Sequence, residues 1–378
     1  VLGRWRQVWK RWGMAANPLV PDYGGPCLSN LVHALTAPEP PAWFPAAARG
    51  ASAHVLLLLD GLGWNQFMDR KHLMPTLAAM EGEAIHSVAP TTTATALTSL
   101  TTGLAPCDHG VIGYRILVED EVLNVLRWQL DGNDARRILP PEEIQPVVPF
   151  LGLRPPVVTK AEFGPTGFTT AHLRTARLHG WRVPSSIVVE TAALVDGGEP
   201  LVYGYYDGID KIAHAEGLGS HYDAEVSFAD ELVSRLLDAL PDDTAVLITA
   251  DHGQLDVGDN TRALPDSVLD LVEVQSGEGR FRWLHARPGR AADLEATCRD
   301  LFSHESWVVS RQQTIEEHWF GPVETGALRR LGDVALVPHE PIAYLEPGDS
   351  GPFELIGRHG SMTEDEVLVP LLCARGRR

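Results

Sequence analysis

Residues 54–63 are HVLLLLDGLG, a short apolar run that ends in an aspartate and a glycine-containing turn. Two later segments share this pattern, LVYGYYDGID at residues 201–210 and TAVLITADHG at residues 244–253. Near-continuous apolar runs of this length, rich in Val, Leu and Ile, are typical of strands that a parallel sheet buries on both faces. The three predicted strands end at Asp60, Asp207 and Asp251.

Helical patterns lie between these runs. Residues 224–240, AEVSFADELVSRLLDAL, have apolar side chains three and four positions apart, which indicates an amphipathic helix. Alternating strands and helices predict an α/β fold with a doubly wound, mostly parallel central sheet and helices on both faces. Ligands of such sheets bind outside the carboxyl ends of the strands. One Asp-Gly pair alone is better explained as a turn, but three clustered carboxylates repel one another unless a positive charge lies among them.

Longer segments interrupt this alternation. Residues 113–156 contain Pro-rich turns and a predicted strand, VLNVLRWQL, and we expect them to form a flap over the sheet edge. Residues 254–352 contain RFRWLHA, AADLEATCRDLF, SWVVS and QQTIEEHWF, which predict strand, helix, strand and helix in a small α+β insertion. The basic, Trp-rich residues 1–20 are expected to be an N-terminal extension. We favour Met14 as a native start, with a membrane-surface anchor as the alternative.

The composition excludes several classes of function. The net charge of −19, from 31 basic and 50 acidic side chains, argues against nucleic-acid binding. A polyanionic substrate would need local positive charge, and a metal ion is the obvious source. The four cysteines are far apart and lack a CxxC pair, which fits a reducing compartment. No apolar run approaches the roughly 18 residues of a membrane span, so we expect a cytoplasmic protein that does not bind membranes.

Three histidines lie in positions that suit metal ligation. His252 follows Asp251, His214 comes four residues after Asp210, and His359 lies in an Arg-His-Gly segment. Carboxylate oxygens and imidazole nitrogens are ligands of zinc and similar divalent ions. Each histidine alone is better explained as an ordinary surface or core residue, so the interpretation depends on the set.

The order of the motifs resembles a known group of enzymes, the alkaline phosphatase superfamily. More narrowly, it resembles the nucleotide pyrophosphatase/phosphodiesterase (type I phosphodiesterase) family, from about residue 55 to residue 372. The resemblance implies that residues 21–378 form an alkaline phosphatase-like catalytic domain. The motifs that carry it are Asp60, Thr93 in PTTT, Asp210-x3-His214, Asp251-His252-Gly and His359-Gly.

The resemblance also implies two bound divalent ions, most simply Zn²⁺, with Mn²⁺ as the alternative. The ligands of one ion would be Asp60, Thr93, Asp251 and His252. The ligands of the other would be Asp210, His214 and His359. The family's D-x3-H motif selects Asp210 rather than Asp207, which would then be a turn residue or a partner of a ligand.

The resemblance assigns a nucleophile within the threonine-rich segment VAPTTTATALTSL, residues 88–100. Thr93 would begin a helix, attack phosphorus and form a phosphothreonine intermediate. A free alcohol is a weak nucleophile at neutral pH, so a metal or a base must activate it. The helix N-terminus would receive the phosphoryl group. Thr92 would cap the helix or contact the phosphate.

One position departs from the family pattern. Members that cleave nucleotides usually have an asparagine four residues after the glycine of a His-Gly pair. In this sequence the pair is His109-Gly110, and the position of the asparagine is Tyr114. Its phenol can donate one hydrogen bond, so Tyr114 either replaces the amide or packs in the core. In the second case Thr92, Arg115 or Lys211 would bind the substrate instead.

The leading expectation is a phosphodiesterase or nucleotide pyrophosphatase with a small, phosphorylated, nucleotide-like substrate. A phosphonate hydrolase similar to phosphonoacetate hydrolase, or a phosphomonoesterase, is the catalytic alternative. A binding protein that keeps the fold without catalysis is the alternative from another class. The oligomeric state cannot be inferred from these patterns.

Overall fold

A computed structural model describes residues 17–164, 166–322, 326–346 and 354–378. Residues 1–16 of the predicted N-terminal extension, and residues 323–325 and 347–352 of the predicted insertion, lie outside the described residues. The strands, in chain order, are β1 Ala53–Leu59, β2 Glu81–His86, β3 Arg115–Val118, β4 Glu121–Asn124, β5 Gln129–Leu130, β6 Asn133–Asp134, β7 Pro156–Lys160, β8 Arg177–Trp181, β9 Leu201–Tyr206, β10 Thr244–Thr249, β11 Leu255–Asp256, β12 Thr261–Ala263, β13 Val272–Glu278, β14 Phe281–Ala286, β15 Ser306–Ser310, β16 Val334–Pro338, β17 Ala343–Leu345, β18 Gly357–Arg358 and β19 Leu368–Arg375.

Helices of two kinds alternate with these strands along the chain. The α-helices are Leu31–Thr36, Trp64–Asp69, Pro75–Ala78, Thr93–Thr102, Pro106–His109, Pro141–Ile144, Gly167–Leu173, Ser185–Asp196, Gly208–Glu216, Ser220–Ala239, Asp266–Leu269, Ala291–Phe302, Arg311–Glu316 and Glu364–Val367. The 3-10 helices are Leu28–Asn30, Ala46–Ala48, Lys71–Leu73, Pro149–Gly152, Ala161–Phe163 and Gly326–Arg330.

The centre of the molecule is a seven-stranded sheet in the order β2-β19-β10-β1-β9-β7-β8. Neighbouring strands from β10 to β8 are parallel, whereas β19 pairs antiparallel with both β10 and β2. The predicted doubly wound, mostly parallel sheet is therefore confirmed. The predicted helix at residues 224–240 is also confirmed, as Ser220–Ala239.

The three apolar runs that suggested this fold lie side by side. β1 is hydrogen-bonded to β10 on one side and to β9 on the other, with Leu58 opposite Thr249 and Leu59 opposite Tyr206. All of β10 and nearly all of β1 is buried. Burying each leucine of β1 stabilises the fold by about 2 kcal/mol. This register brings the carboxyl ends of all three strands to one edge of the sheet.

The threonine-rich segment forms a helix, Thr93–Thr102, whose ten residues are all buried. Threonine is a modest helix former because its β-branched side chain loses χ1 freedom and its hydroxyl can compete for backbone groups. Here the hydroxyls of Thr98, Thr101 and Thr102 each donate to the carbonyl four residues earlier, at 2.7–2.9 Å. These bonds satisfy the hydroxyls within the core. The helix ends at Gly103, which has a φ of 71°.

The insertion contains an antiparallel sheet in the order β13-β14-β16-β15. The predicted helix Ala291–Phe302 and strands β14 and β15 are present, while the helix that begins at Arg311 ends earlier than predicted, at Glu316. A separate apolar core lies within the insertion. Its members include Val268, Leu284, Leu294, Cys298, Leu336 and Tyr344.

The predicted flap contains a small antiparallel sheet, β3-β4-β5-β6. The prediction of one strand across VLNVLRWQL was wrong, because a turn separates β4 from β5. Within the turn, Arg127 N donates to Asn124 Oδ1, and Trp128 has a φ of 54°. The bounds of the extension, flap and insertion stay predictions.

Within the described residues, no helix is both long enough and apolar enough to cross a membrane. The expected cytoplasmic location stays a prediction.

Candidate active site

Two buried carboxylates and one partly buried carboxylate meet at the carboxyl edge of the sheet. Asp60 directly follows β1, Asp251 follows β10 by two residues, and Asp210 lies in the first turn of helix Gly208–Glu216. Backbone bonds fix this arrangement, since Asp210 N donates to Asp60 O at 3.0 Å and Gly61 N donates to Asp251 Oδ1 at 3.1 Å. The strand ends and the helix start therefore bring three negative charges together.

The three expected histidines surround these carboxylates. His252 Nε2 lies 3.3 Å from Asp251 Oδ2 and 3.6 Å from Asp60 Oδ1. Asp210 Oδ1 lies 3.2 Å from His214 Nε2 and 3.8 Å from His359 Nε2. The rings of His252 and His359 stack with centroids 3.5 Å apart. Six side chains from four separate segments of the chain thus converge.

Each histidine presents the same ring nitrogen to the carboxylates. The Nδ1 atoms of His214, His252 and His359 lie 2.7, 3.1 and 2.8 Å from backbone carbonyl oxygens. A carbonyl accepts only, so each Nδ1 carries the proton and donates it. The lone pair is then on Nε2, which is the tautomer that a metal-binding imidazole needs.

The donor set fits divalent cations. Two groups have ligand atoms that all lie within 4.8 Å of one another, Asp60 with Asp251 and His252, and Asp210 with His252 and His359. Among the described residues, the buried Asp60 Oδ1 and Asp251 Oδ2 have no hydrogen-bond partner. A buried carboxylate oxygen without a partner is costly, and a cation would compensate it.

Burial also changes the protonation of these groups. It raises the pKa of Asp60 well above its usual range, and the nearby charges of Asp251 and Asp210 raise it further. Burial raises the pKa of Asp251 and of Asp210 as well. Burial lowers the pKa of His252, and it lowers that of His359 well below the usual range. Clustered carboxylates and neutral imidazoles are a suitable environment for a cation.

Thr93 lies beside the first group of ligands. It is the first residue of helix Thr93–Thr102, and its Oγ1 lies 3.1 Å from His252 Nε2. Thr92 is the N-cap residue of this helix but makes no side-chain capping bond. The N-terminus of the helix therefore presents a hydroxyl to the cluster of acidic and imidazole side chains.

The structure distinguishes Asp210 from Asp207. Asp207 is ion-paired with Lys160, whose Nζ lies 2.8 Å from Asp207 Oδ2, and it belongs to neither ligand group. His252 belongs to both groups, whereas His214 belongs to neither, although it lies close to Asp210. The family resemblance implied that His252 binds one ion only.

The other expected substrate contacts have partners of a different kind. The Tyr114 hydroxyl accepts a hydrogen bond from Asn124 Nδ2 at 2.7 Å. Arg115 forms an ion pair with Glu346, which neutralises its charge. Lys211 is exposed on helix Gly208–Glu216. These contacts do not select one of the three as a phosphate ligand.

A cavity of about 140 Å³ lies next to Thr93. The rings of Phe163 and Tyr205 line it, with centroids 6.1 Å apart. Other lining residues are Leu97, Leu126, Thr159, Thr166, Phe168, Thr169, His172, Leu173 and Tyr203. Although four threonines and His172 contribute to the lining, most of the cavity surface is apolar, and the cavity lies beside the Thr93 hydroxyl. Trp128, in contrast, is buried, and its indole N–H donates to Leu139 O at 2.8 Å.

Two further site residues were missed from the sequence. The Tyr205 hydroxyl donates to Asp60 Oδ2, and Gln254 Nε2 donates to Asp210 Oδ1 at 2.5 Å. Tyr205 belongs to an apolar strand, so its pattern indicated only burial. Gln254 follows the Asp-His-Gly motif directly, and this proximity was the one available signal.

Comparison with solved structures identifies similar folds. A phosphonoacetate hydrolase from Sinorhizobium meliloti 1021, in complex with phosphonoacetate, has a TM-score of 0.63 and 16% identity, over 86% of this chain and 91% of that chain. Human ectonucleotide pyrophosphatase/phosphodiesterase 5 has a TM-score of 0.65 and 15% identity, over 85% and 87%. An inactive threonine-to-alanine variant of the murine counterpart, in complex with AMP, has a TM-score of 0.63 and 13% identity, over 85% and 87%.

At these identities the structural likeness shows the fold alone. Among curated proteins, none matches the chain. The family described as type I phosphodiesterase / nucleotide pyrophosphatase matches residues 54–362, which is most of the sequence. The match to this family supports hydrolysis of phosphoester bonds as the class of activity of this chain. The chain belongs to the type I phosphodiesterase / nucleotide pyrophosphatase family.

Proposed function

We propose that this protein is a metal-dependent phosphodiesterase or nucleotide pyrophosphatase. It hydrolyses phosphodiester or phosphoanhydride bonds of a small, nucleotide-like substrate through a phosphothreonine intermediate on Thr93. The observation that carries the proposal is the position of Thr93 Oγ1, 3.1 Å from His252 Nε2 and beside buried carboxylate oxygens that lack partners. The murine relative described as inactive, with a threonine replaced by alanine, supports a threonine nucleophile here.

The proposed cofactor is a pair of divalent ions, Zn²⁺ rather than Mn²⁺. Asp60, Asp251 and His252 would hold one ion together with Thr93, and Asp210, His214 and His359 would hold the other. Oxygen and imidazole donors suit zinc. Bound divalent ions would lower the pKa of oxygens that they contact and neutralise charge on the phosphoryl group.

The residues of the chain supply the nucleophile and its orientation. The Thr93 oxygen forms a bond to phosphorus while the bond from phosphorus to the leaving oxygen breaks. The leaving oxygen keeps the electron pair of that bond and takes up the proton that the Thr93 hydroxyl loses. Water then cleaves the phosphothreonine, which releases a phosphate monoester and restores the hydroxyl. The first hydrogen bond within the helix runs from Ala96 N to Thr92 O. The N–H groups that come before Ala96, in the first turn of the helix, are therefore suited to donate hydrogen bonds to the phosphoryl oxygens.

We further propose that residues 21–378 form one catalytic domain, with residues 113–156 as a flap and residues 254–352 as an α+β insertion. The apolar cavity beside Thr93 supports a substrate that has an organic group next to the phosphoryl centre. The net charge of −19 supports a small substrate rather than a nucleic acid.

A substrate panel tests this proposal. Zinc-replete protein is assayed with bis(p-nitrophenyl) phosphate, a nucleoside p-nitrophenyl ester, p-nitrophenyl phosphate and phosphonoacetate. We expect turnover of the two diesters to exceed that of the monoester and the phosphonate. Faster turnover of p-nitrophenyl phosphate would indicate a phosphomonoesterase, and faster turnover of phosphonoacetate a C–P hydrolase. Two bound ions by elemental analysis are expected, and their absence would favour a non-catalytic binding protein.

A further inference from the structure

A buried ion pair joins the insertion to the loop that contains His359. Arg280 lies in the turn between β13 and β14, and Glu366 lies in the short helix Glu364–Val367. Arg280 Nε and Nη2 each donate to a different carboxylate oxygen of Glu366 at 2.8 Å, and both side chains are fully buried. Because burying two charges is costly, such a pair is weak evidence of a purely stabilising role.

The Glu366 carboxylate also binds the His359 loop. It accepts hydrogen bonds from Ser361 N at 2.9 Å and from Thr363 Oγ1 at 2.6 Å. Ser361 O in turn accepts a bond from Thr91 Oγ1 at 2.8 Å, and Thr91 O accepts one from His359 Nδ1 at 2.8 Å. Three hydrogen bonds, joined through Ser361 and Thr91, therefore connect the carboxylate to the imidazole.

The backbone of Glu366 makes a second connection. Its carbonyl accepts a bond from Gly253 N at 2.9 Å, and Gly253 O lies 3.1 Å from His252 Nδ1. The imidazoles of His252 and His359 stack on each other. One residue thus supports the loops of both histidines, which are the two histidines of the candidate metal groups.

Arg280 connects this arrangement to the insertion. Its Nη1 donates to Glu340 O at 2.9 Å and to Ile342 O at 2.7 Å. All three nitrogens of the planar guanidinium donate hydrogen bonds here, and a single ammonium group could not reproduce this arrangement. The insertion consequently anchors the residue that supports the histidine loops.

We propose that Arg280 and Glu366 are positioning residues, which hold the imidazoles of His359 and His252 in the orientation that binds divalent ions. The insertion thereby contributes to the metal site without supplying a ligand. The inference rests on the proposed function, because it assumes that the cluster binds metal. Removing a group that orients a metal-binding imidazole typically lowers the metal affinity 10–100-fold.

The test compares Glu366→Gln with Asp333→Asn in the full chain. Both changes replace a carboxylate by an amide within an ion pair, and Asp333 pairs with Arg311 in the insertion at 3.0 Å. Zn²⁺ affinity is measured by competition with a chelator, and Co²⁺ loaded into the site reports coordination through its visible absorption. We expect at least tenfold weaker affinity for one ion and an altered Co²⁺ spectrum in folded Glu366→Gln. The Zn²⁺ affinity of Asp333→Asn should stay within twofold of that of the unchanged protein.

Arg280→Lys provides a second variant if Glu366→Gln does not fold. This change keeps the buried positive charge but removes the planar guanidinium and the set of hydrogen bonds that it donates. Weaker metal affinity and an altered Co²⁺ spectrum are again expected. If the unchanged protein binds two ions and the folded variants bind them equally well, with the same spectrum, the inference is overturned and the proposed function survives. If the unchanged protein binds no divalent ion, the proposed function fails and the inference fails with it.

Discussion

Replacing Thr93 by alanine removes the proposed nucleophile and leaves the proposed acidic and histidine ligands in place. The change deletes Oγ1, which lies 3.1 Å from His252 Nε2, and one buried methyl group. Loss of covalent catalysis should lower kcat at least about a hundredfold, which corresponds to about 2.7 kcal/mol in the activation free energy. The lost hydrogen bond and methyl group together should lower the free energy of unfolding by about 2 kcal/mol.

Thr93→Ser is the matched control, because it removes the methyl group and keeps the hydroxyl. We expect it to keep kcat within about tenfold of the unchanged protein, since the nucleophile remains. Initial rates with bis(p-nitrophenyl) phosphate are measured alongside metal content and chemical unfolding. These measurements separate a chemical defect from lost metal or lost folding.

Two results would refute the reasoning. Near-normal kcat in Thr93→Ala, with its metal content unchanged, would assign the nucleophile to another group. Equal losses in Thr93→Ala and Thr93→Ser would show that the methyl group and its packing matter, and that the hydroxyl does not carry the reaction.

Dialysis against a chelator should abolish hydrolysis and Zn²⁺ should restore it, and activity that survives complete metal removal would contradict the proposed cofactor. Tyr205→Phe removes the hydroxyl that donates to Asp60 and should weaken Zn²⁺ affinity about tenfold in a chelator competition; unchanged affinity would limit Tyr205 to packing. His109 is buried, and burial lowers its pKa from 6.5 to about 3. As the pH is lowered, His109 therefore binds a proton in the unfolded chain before it does so in the folded protein. The free energy of unfolding consequently falls below pH 6.5, by about 1.4 kcal/mol per pH unit. His109→Gln should lack this part of the pH dependence in urea unfolding between pH 6.5 and 5, and equal slopes in the two proteins would contradict it.

The surroundings of His109 explain the direction of this effect. Its Nδ1 accepts a hydrogen bond from Val111 N at 3.1 Å, and Nε2 lies 2.7 Å from Ser99 Oγ. Because Nδ1 already accepts from an N–H group, a second proton has no place on the ring. The proton of the neutral ring is then on Nε2 and is donated to Ser99.

Sequence alone was sufficient for the central strands and for the types of side chain that meet at their carboxyl ends. The runs at 54–63, 201–210 and 244–253 identified β1, β9 and β10, because burial on both faces requires continuous apolar residues and this pattern is local. Asp210 and His214 are four residues apart, and both lie in helix Gly208–Glu216, where that spacing brings their side chains to one face.

Only the tertiary structure decided how those residues combine. The stacking of His252 on His359 and the hydrogen bond from His359 to Thr91 join segments more than 100 residues apart, so no local pattern could reveal them. The same holds for Arg280 and Glu366, which as isolated charged residues would be expected at the surface and are buried only because they meet. Sequence periodicity reports which side of an element is buried, whereas the order of strands and the paths of loops determine which buried groups touch.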